Sequence, residues 1–186
     1  NAIELLPVNE FAGDQSWGYN PGHIFAVESY YGGPDQLKQL IDACHERGIA
    51  VLIDVVFNHL GPDDLGCWKF DGWSENDGGG IYFYNDERAN TPWGDTRPNF
   101  STDEVRQFLR DAVMQWMDEF HVDGLRVDGT RWIEWTDVAP LTKPSGTLDF
   151  QFNKEGYSCK VGFKFLQGLV GSFSLGQFFT FARTFT

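Results

Sequence analysis

The sequence predicts an α/β fold with parallel strands, and three observations carry that reading. Residues 49–59, IAVLIDVVFNH, are almost continuously β-branched or aliphatic, as a strand covered on both faces requires. Residues 122–132, VDGLRVDGTRW, repeat the pattern in shorter form, with glycines bracketing Leu125 and Val127. Between and before these runs apolar residues recur at helical spacing, so strands and helices alternate along the chain.

Taken in order, IELLPV at residues 3–8 reads as a short buried strand. Residues 9–33, NEFAGDQSWGYNPGHIFAVESYYGG, are rich in glycine and aromatics and read as a loop. Pro34 stands where a helix would start, and Leu37, Leu40, Ile41 and Cys44 keep helical spacing up to Gly48. The strand within 49–59 follows and completes a βαβ unit. Residues 60–100 far exceed the roughly 2 to 6 residues of an ordinary α/β connection, which marks an inserted functional loop or small subdomain. Ser101 and Glu104 then form a capping-box pair. Val105, Phe108, Leu109, Ala112, Val113, Trp116, Met117 and Phe120 trace one apolar stripe of a second helix.

Both strong strands finish in polar residues. Asp54 is embedded in the first, which ends at Asn58 and His59, while Arg126 and Asp128 share one face of the second. A buried charge without a partner is costly, so an Asp54–Arg126 salt bridge between neighbouring strands is one reading. That pair leaves Asp128, Asn58 and His59 unexplained. In parallel α/β folds the C-terminal strand ends are where ligands bind and catalytic groups sit. An arginine two residues before an aspartate keeps the carboxylate ionised, the state a glycosidase nucleophile needs. Its acid partner in a retaining enzyme would lie about 5 Å away, and no second acidic residue has comparable context.

Composition narrows the partners. The 27 acidic against 14 basic residues give a net charge of −13, which excludes a basic patch for nucleic acid or an anionic membrane. With 16% aromatic residues and 21 glycines, such a surface suits a neutral, polyhydroxylated ligand such as a sugar. Three cysteines, Cys44, Cys67 and Cys159, lack disulfide-framework or zinc spacing, so a reducing, cytoplasmic setting is expected. The chain opens on Asn without a signal peptide and reads as an internal piece of a longer protein.

DVVFNH and GLRVDGTRW, separated by a long loop and a helix, resemble the first two signature regions of the α-amylase family of (β/α)8-barrel glycosidases and transglycosidases. WGYNP followed by FAVESYYGGPDQLKQLIDACHERGIAVLIDVVFNH is closer still to 1,4-α-glucan branching enzymes and malto-oligosyltrehalose trehalohydrolases. The resemblance covers residues 1–135. It implies an incomplete TIM barrel, with strands two and three in residues 1–59, the loop subdomain at 60–100, and helix three with strand four at 101–135. It further implies that Asp128 is the nucleophile, held ionised by Arg126. His59 would hydrogen-bond the sugar at the scissile bond, Tyr19 would stack on that sugar, and Asp54 would brace Arg126 from below. Asn58 aligns with a residue that holds the long loop in calcium-dependent members and is otherwise structural. Branching enzymes generally manage without the metal, so no metal and no cofactor are expected. The implied substrate is an α-glucan: glycogen, starch or maltooligosaccharide.

Departures matter as well. After the nucleophile the family has a small residue and then a Lys or His, where this chain has Gly129, Arg131 and Trp132, the last kept as a substrate-binding candidate. Trp68, Trp73 and Trp93 could stack on glucan rings or pack within the loop. The family's general-acid glutamate and its later His-Asp pair have no counterpart. Without them this chain alone is expected to be inactive, with an open sheet edge. Residues 136–186 lack helical period and clear alternation and read as a divergent, poorly ordered or out-of-frame end. The charge-free run 165–182 approaches membrane-span length, but glutamine, serine and glycine dilute it.

Overall fold

The computed structural model describes residues 1–62 and 65–133 in full, together with the backbone of two strands at 148–152 and 158–163. Its main sheet holds three parallel strands, β1 (Ala2–Leu5), β4 (Ala50–Val55) and β5 (Gly124–Asp128), side by side in that order. The α/β class is therefore observed. Val51, Ile53, Val55, Leu125 and Val127 form its buried centre. The central strand β4 is buried along almost its whole length, as expected of a strand flanked on both sides.

The outer strand β1 departs from the expected buried strand at 3–8. Among the described residues it is an edge with one neighbour, so its residues alternate between exposed and half-buried, and burial begins only at Pro7 and Val8. The stretch 9–33 departs further, because it holds an antiparallel pair, β2 (Asn9–Phe11) and β3 (Pro21–Val27), with two register shifts. Glu28 fixes the exit of this pair. Its fully buried carboxylate accepts the backbone N–H groups of Phe11 and Tyr30, at 3.2 and 2.8 Å.

Helix α1 (Gly33–His45) carries Pro34 in its first turn and buries Leu37, Ile41 and Cys44, while Leu40 faces outward. Helix α2 (Asp103–Asp118) buries Val105, Leu109, Ala112, Val113 and Trp116, the stripe seen in the sequence. The capping box is not formed. Thr102 is the N-cap and makes no side-chain bond, and the Ser101 hydroxyl turns back to Asn99 Oδ1. Two exchanges close the base of the sheet: Asp123 N–H donates to the Val51 carbonyl, and Asp123 Oδ2 accepts from Val51 N–H, each at 2.8 Å. The same oxygen lies 2.8 Å from His45 Nε2, which ties the end of α1 to the start of β5.

The long insertion is sewn to the sheet rather than hanging from it. Phe83, Tyr84 and Phe100 are buried in the common core, Leu60 N–H donates to Thr96 O at 3.0 Å, and Arg97 Nε donates to Trp132 O at 2.7 Å. Beyond residue 135, where no regular element was expected, β6 (Leu148–Phe152) and β7 (Ser158–Phe163) form an antiparallel hairpin. β7 pairs antiparallel with β5 and covers that side of it, while β1 is an open edge among the described residues. The run 165–182 lies outside the described residues. Among the described residues no helix is long and apolar enough to cross a membrane.

Candidate active site

The parallel register of β4 and β5 sets Asp54 directly opposite Arg126. Their side chains rise on one face, and Arg126 Nη1 lies 2.5 Å from Asp54 Oδ2. One turn of the pleat further on, Asp128 Oδ1 lies 2.8 Å from the same nitrogen. A single guanidinium therefore bridges two carboxylates at the C-terminal ends of the parallel strands.

Tyr19 reaches this group from the β2–β3 connection. Gly18 sets its approach at φ +86, and a Cβ there would come within 2.3 Å of the Pro7 carbonyl oxygen. The Tyr19 hydroxyl donates to Asp54 Oδ2 at 2.7 Å, and its ring centroid lies 5.9 Å from the Arg126 guanidinium carbon. Burial, and then Asp54, push the Tyr19 phenol up to about 12, so it remains a donor. Burial raises Asp54 to about 6, against the lowering pull of the Tyr19 and Arg126 hydrogen bonds. Asp54 is almost fully buried, and its Oδ1 has no hydrogen-bond partner among the described residues. Arg126 and Asp128 are more open, with side chains 20% and 17% exposed, so a ligand can reach the latter.

On the other side Asn58, fully buried, donates from Nδ2 to the Asp128 carbonyl at 2.9 Å and to Asp128 Oδ2 at 3.2 Å. Its Oδ1 faces His59 Nδ1 at 2.5 Å, and His59 Nε2 faces the Tyr19 carbonyl at 2.9 Å. Both ring nitrogens thus meet oxygen acceptors, which favours a proton on each, while burial lowers the His59 pKa. The Asn58 oxygen that a calcium ion would require is already engaged by His59. Among the described residues no three His, Cys, Asp or Glu side chains gather as a metal cage.

The sequence reading singled out seven residues. Asp54, Arg126, Asp128, Tyr19, Asn58 and His59 form one connected network. Trp132 stands beside it, joined through Trp93. The Trp93 ring stacks on His59 with centroids 4.9 Å apart and planes 17° apart, and its edge meets Trp132 at 6.4 Å. Trp68 instead packs on Phe83 inside the insertion, at 5.6 Å. Trp93 is the site residue the sequence could not single out among the loop tryptophans. A further unread requirement is Gly129, at φ +53, where a Cβ would come 2.4 Å from Asn58 Nδ2.

A paired cation and carboxylate at strand ends, flanked by an imidazole and exposed aromatic rings, can hold a sugar ring and present an ionised nucleophile to it. Comparison with known proteins points the same way. Residues 1–69 match the family model "Alpha amylase, catalytic domain". The chain is 42% identical over 139 residues to the 1,4-alpha-glucan branching enzyme GlgB of Pseudoalteromonas atlantica, covering 74% of this chain and 18% of that enzyme. It is 44% identical over 128 residues to the malto-oligosyltrehalose trehalohydrolase of Mycobacterium tuberculosis, covering 68% and 20%. Among solved structures, pullulanase type I from Bacillus subtilis, complexed with maltose, superposes with a TM-score of 0.60 at 31% identity, covering 76% and 22%. The chain thus spans about a fifth of the length of these relatives. The resemblance to the α-amylase family is borne out.

Proposed function

We propose that the chain is a piece of a retaining α-glucan-active enzyme of the α-amylase family, in which Asp128 attacks the anomeric carbon of an α-1,4-linked glucose. The observation that carries this reading is the Arg126–Asp128 pair at the mouth of parallel strands, with Tyr19 and His59 around it. In this reading β1, β4 and β5 correspond to strands two to four of a (β/α)8 barrel, and residues 60–100 to its loop domain.

The Asp128 carboxylate forms a bond to the anomeric carbon as the glycosidic C–O bond breaks, and the leaving oxygen takes a proton from a general acid. A glucan 6-hydroxyl (branching) or water (hydrolysis) then displaces Asp128 with net retention. Among the described residues the other carboxylate at Arg126 is Asp54. It is buried and turned into Tyr19, so it cannot reach a leaving oxygen. No described side chain stands where that acid is needed, and the family's general-acid glutamate has no counterpart in the sequence, so we infer that the 186-residue chain alone is inactive. Branching type is the leading reading, and the trehalohydrolase relative keeps hydrolysis as its alternative. The free thiols of Cys44 and Cys67 suit a reducing, cytoplasmic setting.

In the whole enzyme carrying this chain, NMR of fresh product from a maltooligosaccharide should show the α-anomer first, and β-anomer first would refute retention. New α-1,6 linkages would indicate branching, and reducing ends alone would indicate hydrolysis. Glucan cleavage by the 186-residue chain would overturn the claim that it is inactive.

A second reading, a non-catalytic α-glucan-binding piece, draws on Trp93, whose exposed ring lies over His59. Maltooligosaccharide binding that survives Asp128→Asn but is lost in Tyr19→Ala, in an enzyme without turnover, would favour it.

A further inference from the structure

We propose that Asn58 is a positioning residue for Asp128, fixing both the rotation of its carboxylate and the peptide that carries it. The inference rests on the reading of Asp128 as nucleophile and deepens it. Arg126 grips one oxygen of that carboxylate, Oδ1, at 2.8 Å. One contact leaves the group free to swivel about Cβ–Cγ. The second contact, Asn58 Nδ2 to Oδ2 at 3.2 Å, sets its plane, and the same nitrogen holds the Asp128 carbonyl at 2.9 Å.

The amide is itself fixed. It is completely buried, its oxygen is held by His59 Nδ1, and His59 is anchored on the Tyr19 carbonyl. A flipped Asn58 would set its oxygen against two oxygens of Asp128, so one orientation is selected. Gly129 leaves the space that the amide fills. The two carboxylate oxygens end up unlike: Oδ1 lies against a cation, whereas Oδ2 has only a longer bond to a neutral amide. Oδ2 is the more weakly held of the two and the one left free to react.

The test uses the whole enzyme with Asn58→Ala and Asn58→Asp. Asn58→Ala should lower kcat about 10- to 100-fold with KM within about threefold, the cost of a misplaced reacting group. Calcium and chelators should change neither value. Asn58→Asp keeps the shape but sets a second carboxylate beside Asp128, so the acid limb of the kcat/KM profile should move to higher pH. A crystal structure of Asn58→Ala should show the Asp128 carboxylate turned or in two conformers, with Arg126 still on Oδ1. An unmoved Asp128, or an unchanged kcat beside a lowered Tm, would overturn the proposal. Activity that follows calcium and loses that dependence in Asn58→Ala would overturn it too, by making Asn58 a cation ligand. A wild-type enzyme inert on α-glucans, with Asp128 still turned in Asn58→Ala, would sink the nucleophile reading and leave the positioning contact upheld.

Discussion

Arg126 Nη1 lies 2.8 Å from Asp128 Oδ1, two residues along the same strand, while it also holds Asp54 Oδ2. Lysine is shorter and lacks the planar guanidinium, so its ammonium would not sit where Nη1 meets both carboxylates. Arg126→Lys should therefore lower kcat/KM of the whole enzyme on maltooligosaccharide by about 100-fold or more, read as loss of transition-state stabilisation. Arg126→Ala should also destabilise the fold by about 3 kcal/mol in chemical denaturation, because it leaves Asp54 buried and unpaired.

Asp54 gives a pH signature of defined sign. Its carboxyl is raised from 3.8 to about 6 by burial. Between these values the unfolded chain has already released the proton that the folded chain still holds. Stability from this group is thus fully present below about pH 4 and is lost as pH rises through about 6. Asp54→Asn should flatten that part of the stability–pH curve, measured by denaturant midpoints across the window. An unchanged slope would count against the raised value.

The base of the sheet should respond differently from its mouth. Asp123 serves both the Val51 N–H and His45, so Asp123→Ala should cost about 2 kcal/mol by leaving buried polar groups unmet. Asp123→Asn keeps an acceptor and should cost less. Neither variant should change kcat of the whole enzyme, since the pair sits at the opposite strand ends from Asp128.

Trp93 tests the wall of the site. Its ring covers His59 and meets Trp132 edge-on. Trp93→Ala should raise KM for maltooligosaccharide by about 3- to 10-fold, in line with the roughly 0.5–1.5 kcal/mol of an aromatic contact. Trp73→Ala, at an exposed position of the same insertion, should leave KM unchanged.

Much of this site was legible because a charge in an apolar strand is expensive and therefore conspicuous. Asp54, Arg126 and Asp128 announced themselves that way, and α2 by its stripe. What stayed hidden depended on context. The β2–β3 pair lay in a stretch whose glycines suggested a loop, although GHIFAV does place Ile24 and Val27 inward and His23 outward. The capping box failed because the helix starts one residue later, with Thr102 as N-cap, which takes Glu104 out of the position a box requires. The LDFQF alternation of β6 was present but lay in an otherwise irregular tail. Trp93 meets His59 across 34 positions of irregular chain, and no local pattern encodes such a meeting.

The rung that sets Asp54 across from Arg126 also bears on how the chain finds its shape. Parallel strands of aliphatic residues could slide by one step with little loss of apolar contact. Here such a slip would turn Arg126 and Asp128 to the wrong side and strand Asp54 inside without a counter-charge. The ion pair acts as a checksum on assembly: a mis-stepped sheet is penalised by the same groups that would do the chemistry. Variants that silence the charges, such as Asp54→Asn combined with Arg126→Met, would then lose fidelity of folding together with catalysis.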